Sequence, residues 1–103
     1  MHTVHFPKSA KNGVIAAAMG IFFSTDRFDD SVTPAQTQII DDFFDSLKWN
    51  VATGEPTAPK VTYGDLMMMV NMRTRWSYKG SVTTPPCATT VYWNVVKTIY
   101  PVK

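Results

Sequence analysis

From Val14 to Phe23 the chain runs through ten residues with no charged or hydrogen-bonding side chain, interrupted only by Gly20. That run constrains the fold more than any other segment. It is well short of the roughly 20 apolar residues that a helix needs to cross a bilayer. Its length and composition instead predict a buried strand.

The flanking segments supply candidates. His2 to Phe6 alternates polar and apolar residues and reads as a second strand, joined to the first by a polar connection over Pro7 to Gly13. Further on, Thr33 is the candidate N-cap of a helix with Pro34 at its first position. Ile39, Ile40, Phe43, Phe44 and Leu47 then recur at three- and four-residue spacing and share one face. Asp41, Asp42 and Asp45 lie off that stripe; nothing nearby converges with them, and they read as a solvated face. Asn50 to Lys60, with Gly54, Pro56 and Pro59, reads as a loop. The run Leu66-Met67-Met68-Met69-Val70 admits two readings, since methionine fills irregular core gaps and also makes adaptable contact surfaces. Val91 to Val96 reads as a further strand.

Composition narrows the function classes. At 103 residues, 45% hydrophobic and 17% charged, the chain has the content of one small globular domain. A net charge of +2, with ten Lys and Arg spread along the sequence, gives no reason to expect a nucleic-acid partner. The N-terminus reaches Lys8 and Lys11 before any apolar stretch and does not read as a signal peptide. A single cysteine, Cys87, cannot form an internal disulfide; by itself it reads as a small buried thiol.

Ordinary core packing does not call for the string Tyr78-Lys79-Gly80-Ser81-Val82-Thr83-Thr84-Pro85-Pro86-Cys87, with Trp93 beyond it. It resembles the Gly-Ser-Leu-Thr-Thr-Pro-Pro segment of the α-class carbonic anhydrases. Met1-His2-Thr3-Val4-His5-Phe6 is similar to that family's Glu-Leu-His-Leu-Val-His-Trp strand. Ala16-Ala17-Ala18-Met19-Gly20-Ile21-Phe22-Phe23 resembles the Ala-Val-Leu-Gly-Ile-Phe strand that follows it. All three occur in the family's order, and the resemblance covers nearly the whole chain. The chain corresponds to the middle and later part of the family's domain.

The resemblance implies a zinc-dependent hydration of carbon dioxide to bicarbonate, carbonic anhydrase being itself the reference case of a zinc-bound water acidified to act as hydroxide. It implies that His2 is one of three histidine ligands. Thr83 would accept a hydrogen bond from the zinc-bound hydroxide and donate its own proton to an upstream glutamate. Thr84 would line the cavity and contact bicarbonate. Val4, Ala18, Val82 and Trp93 would form the apolar pocket for carbon dioxide, widened because Ala18 and Val82 stand where the family commonly has valine and leucine. In secreted and membrane-anchored members the residue after Thr-Thr-Pro-Pro is a disulfide cysteine. This reading of Cys87 implies a bond to a residue outside the chain and a secretory or extracellular lineage; it stands beside the buried-thiol reading.

Strand geometry separates the two histidines. Residues three apart on a strand face opposite sides, so His2 and His5 do not chelate one metal together. With His2 facing the cavity beside Val4, His5 faces away with Thr3, where a satisfied core histidine is expected. The family's other two ligands come from a His-x-His strand, a pattern these 103 residues lack. Catalytic zinc needs three protein ligands and an open fourth position. Three readings follow: a piece of an α-carbonic anhydrase whose remaining part is supplied by another chain or is missing from this sequence; a non-catalytic carbonic-anhydrase-related subunit with a structural or binding role in a larger assembly; or an unrelated β-rich module. The expected architecture is β-rich α+β, with residues 1–103 forming one incomplete domain: part of a mostly antiparallel central sheet with one surface helix near residues 34 to 48. A sheet so truncated leaves edges that call for partner strands from another polypeptide.

Overall fold

The computed structural model describes residues 1–9, 13–48 and 60–103. The loop expected over Asn50 to Lys60 lies, apart from Lys60, outside the described residues, as do residues 10–12 of the connection after the first strand. The architecture is β-rich α+β. Four strands, β1 (His2–His5), β2 (Ala16–Ser24), β3 (Arg75–Ser81) and β4 (Thr89–Pro101), form one sheet in the order β1-β2-β4-β3. The β1–β2 and β3–β4 ladders are antiparallel. Two helices accompany them, α1 (Pro34–Ser46) and α2 (Tyr63–Met69).

Contacts divide the chain into two units. One comprises Met1–Phe22 with Asn71–Ile99, the other Phe23–Val70 with Tyr100–Lys103. In the first, His2 pairs with Gly20 and Val4 with Ala18, so these four share one face of the sheet, while Thr3, Met19, His5 and Ala17 share the other. Ala16, Ala18, Val91 and Trp93 form a buried cluster. The β3–β4 register places Tyr78 opposite Trp93 and Gly80 opposite Val91, then shifts at a bulge after Gly80 so that Ser81 pairs with Thr89. Thr90 absorbs the shift with φ of 70°, and its hydroxyl donates to the Thr89 carbonyl.

The second unit is built on α1, whose start is the one the sequence predicts. Thr33 caps it through a reciprocal box: the Gln36 amide donates to Thr33 Oγ1 (3.3 Å), and the Thr33 amide donates to Gln36 Oε1 (2.9 Å). Ile40 and Phe43 of the predicted stripe are buried. Phe44 meets Phe43 and Phe23 in edge-to-face contacts, with centroids 5.3 and 5.1 Å apart. Lys48, at φ of 56°, ends the helix in the left-handed conformation and donates its amide to the Asp45 carbonyl. Of the three acidic residues beyond the stripe, Asp42 and Asp45 are exposed, and Asp41 pairs with Lys103 at 3.2 Å.

Five expectations need correction. The stretch that sequence periodicity does not assign forms a second helix, α2, with Leu66 fully buried and Val70 nearly so just past its end. Its methionines do not fill the core: Met68 is 89% exposed, and Met67 and Met69 are half-buried. In a helix the buried positions are four apart, so Leu66 and Val70 take the inside and Met68, midway between, points away. His5 does share a face with Thr3, its Nε2 and Thr3 Oγ1 lying 3.2 Å apart in a hydrogen bond, but both belong to an outer strand and His5 is exposed rather than in a core. The buried-thiol reading of Cys87 fails as well, because the thiol sits exposed in the turn after Pro86. Finally, burial of the Val14–Phe23 run is confined to Ala16 through Ile21, with Ala17 half-buried and Phe22 exposed.

Candidate functional site

The face of the sheet that carries His2 also carries the loop after β3. The hairpin that closes this loop is held by the Val82 amide, which donates to the Ala88 carbonyl (2.9 Å), and by the Cys87 amide, which donates to the Thr84 carbonyl (2.8 Å). The Pro85–Pro86 bond is cis. Thr83 and Thr84 ride on this loop and are exposed.

Six sequence-distant residues of the anticipated site line one apolar cleft of about 300 Å³: His2, Val4, Ala18, Val82, Thr83 and Trp93. Two are fixed by strand alternation on β1, one by the facing position on β2, two by the loop and one by β4. Phe6, Ile15, Ala16 and Val91 complete the wall. Ala18 and Trp93 form its floor and are buried, whereas Val4 and Val82 stand at its rim, 54% and 37% exposed. Apart from the His2 ring and the Thr83 hydroxyl, its side chains offer almost nothing polar, so the cleft suits a small apolar molecule presented to one imidazole and one hydroxyl. Thr84 is not among the lining residues.

A second cleft of about 450 Å³ opens on the same face and shares His2, Thr83 and Trp93 with the first. It adds Tyr78, Gly80 and Ser81, which belong to the motif string but carry no role there, and Val95, which lies outside it. The cross-strand register is the signal that finds them: Tyr78 faces Trp93, and the pair flanks Gly80. Trp93 is held firmly at this junction. Its Nε1 donates to the Ser81 carbonyl at 2.9 Å, and the His2 ring stands edge-on to it with centroids 4.9 Å apart.

The described residues do not fit a catalytic zinc by themselves. No group of three His, Cys, Asp or Glu side chains converges among them, and His2 meets the cleft alone because His5 lies on the opposite face. An exposed imidazole at a cleft mouth can serve as one ligand. The remaining ligands of a catalytic centre would have to come from outside these residues.

Comparison with known proteins agrees with the motifs and with the geometry. The family described as eukaryotic-type carbonic anhydrase matches residues 1–103. Carbonic anhydrase 6 of Mus musculus is 30% identical over 105 aligned positions, which cover 93% of this chain. They cover 31% of that relative, so the chain spans about a third of its length. With three motifs in register and the matched family extending from the first residue to the last, the chain belongs to the eukaryotic-type carbonic anhydrase family.

Proposed function

We propose that this chain provides the substrate wall of a carbonic anhydrase centre, together with one of its ligand histidines, for the reversible hydration of carbon dioxide to bicarbonate. The observation that carries the reading is the convergence of His2, Thr83 and four apolar residues on a single cleft. Zinc, when bound to the completed set of ligands, supplies the acidified water of this chemistry.

The chain's own residues have separable tasks. His2 contributes a ring nitrogen, and the edge-on contact with Trp93 limits how far its ring can rotate. Thr83 places a hydroxyl, able both to donate and to accept, at the boundary between the two clefts. Val4, Ala18, Val82 and Trp93 exclude water from the space in which an apolar substrate is held. Ala18 and Val82, in place of larger residues, leave that space wide and hold a small substrate loosely, which lowers the gain from positioning. Thr84, one residue further along the loop, is assigned to the product side. Cys87, exposed beside the loop, is available for a bond to a cysteine outside the chain, which accords with a secretory lineage.

The deciding experiment is zinc content per chain in material from the natural source, by elemental mass spectrometry, followed by carbon dioxide hydration assays of His2→Ala and Thr83→Ala. About one zinc per chain and loss of activity in both variants is the expected result. Zinc-free material would overturn the catalytic reading and leave a structural or binding subunit, in which the cleft survives without its chemistry.

A further inference from the structure

Trp93 touches the supports of both polar groups in the apolar cleft. On one side its Nε1 donates to the Ser81 carbonyl at 2.9 Å. Ser81 stands two residues before Thr83, at the bulge where β3 shifts its register with β4. On the other side the His2 ring meets the indole edge-on, with centroids 4.9 Å apart and planes at 72°. Trp93 itself is buried, which keeps both contacts largely out of water. All of these residues belong to the same compact unit of the chain.

The Ser81 carbonyl and the Val82 amide belong to one peptide unit, which is planar. Its oxygen accepts from the Trp93 indole, and its N–H donates to the Ala88 carbonyl at 2.9 Å. The plane from which Thr83 departs is therefore held at both ends. The bonds from Val82 to Ala88 and from Cys87 to Thr84 close the loop on itself, but the indole bond is the one that ties the base of the loop to a side chain of the cleft. An indole has one donor and no acceptor, so Trp93 offers a molecule in the cleft only its apolar surface. His2 is exposed on β1, where its side chain would otherwise exchange between staggered rotamers. The aromatic contact favours one of them.

We propose that Trp93 is a positioning residue as well as a wall of the cleft: one indole holds the Ser81–Val82 peptide plane and the His2 ring together, and so sets where the Thr83 hydroxyl stands relative to the His2 imidazole. For the task of those two groups this rests on the carbonic anhydrase reading, in which a small displacement of either one slows the reaction. The two contacts use different parts of the side chain. The N–H carries the bond to the loop, and the ring carries the contact with His2, so each can be removed without the other. If Trp93 did no more than fill space, its N–H would be dispensable to the loop.

The test uses the 103-residue chain with two replacements of Trp93. Benzothienylalanine keeps the bicyclic ring and puts sulfur in place of the N–H, whereas Trp93→Leu keeps an apolar side chain and removes the ring. Amide hydrogen exchange compares Val82 with Ile15, whose amide bonds to the Thr90 carbonyl in the same unit but outside the loop. Three-bond NMR couplings report the His2 χ1 rotamer. The benzothienyl chain is expected to exchange the Val82 amide roughly fivefold faster, the effect of losing one neutral hydrogen bond. Ile15 should be unchanged and His2 should keep the single rotamer of the parent chain. Trp93→Leu should accelerate Val82 and also average the His2 couplings. Unchanged exchange of Val82 in the benzothienyl chain, equal acceleration of Val82 and Ile15 there, or unaltered His2 couplings in Trp93→Leu would each overturn the proposal. No readout here needs zinc, so a zinc-free chain that gave the expected results would overturn the catalytic reading and leave the positioning role of Trp93 standing.

Discussion

The indole of Trp93 lies against the backbone of Gly80 so closely that a methyl group on Gly80 would sit 3.0 Å from Trp93 Cδ1 and 3.2 Å from Tyr78 Cε2. No side chain fits there without moving one of the rings. Gly80 therefore sets the depth at which Trp93 sits in the cleft, and Trp93 in turn abuts the His2 ring. A backbone position on β3 thereby reaches His2 of β1 through one aromatic side chain.

Gly80→Ala is accordingly expected to cost about 1–3 kcal/mol, the range for overpacking a fitted interior, and to shift the Trp93 indole resonance. Gly20→Ala is the control. Its added methyl would meet Val95 at 3.6 Å and His2 at 3.8 Å, ordinary contact distances, so its effect should stay within about 0.5 kcal/mol. Urea denaturation of both variants, with indole NMR of the first, checks the contrast.

Thr33→Ala removes the side-chain half of the capping box on α1 and is expected to destabilise the chain by about 1 kcal/mol. Thr33→Gly should cost only a few tenths of that, since glycine is tolerated at an N-cap. Circular dichroism melts of the two variants distinguish loss of the cap from loss of side-chain packing.

In the helical unit, Ile40 and Leu66 are completely buried. Substitution of either by alanine is expected to cost about 2–5 kcal/mol. Met68→Gln, on an almost fully exposed side chain, should remain within about 0.5 kcal/mol. Equal losses in Met68→Gln and Leu66→Ala would contradict the orientation of α2.

Thr90 is β-branched and sits at φ of 70°, a conformation that suits glycine. Its carbonyl accepts the Ile15 amide at 3.2 Å, so the bulge is tied to the chain just before β2. Thr90→Gly keeps that backbone bond and relieves the strain, and should raise stability by about 1 kcal/mol in denaturant titration. Thr89→Gly, at a paired strand position, should lower it.

Much of the site was legible in the sequence because it depends on alternation and on a rigid loop. Strand periodicity alone sends His2 and Val4 to one face and His5 to the other, and the register with β2 then brings Ala18 opposite Val4. The Thr33–Pro34 start of α1 rests on local capping chemistry, which needs no tertiary partner. The α2 helix was not legible, because seven residues with one buried position carry too short a pattern to be told from a strand or a turn. The exposure of Met68, His5 and Cys87 was not legible either; burial depends on which neighbours arrive, and hydrophobic or small side chains are compatible with both outcomes.

The amino-acid sequence by itself determined the family, the β-rich character, the capped helix and the identity of the residues around the cleft, since each is written in short-range pattern or in motifs kept in order. Tertiary structure alone decided that Trp93 locks against Gly80 and His2 and that Tyr78 and Ser81 join the site. Those relationships pair residues far apart in the chain. Cross-strand register and the distance of closest approach set them, and neither quantity is carried by any single segment.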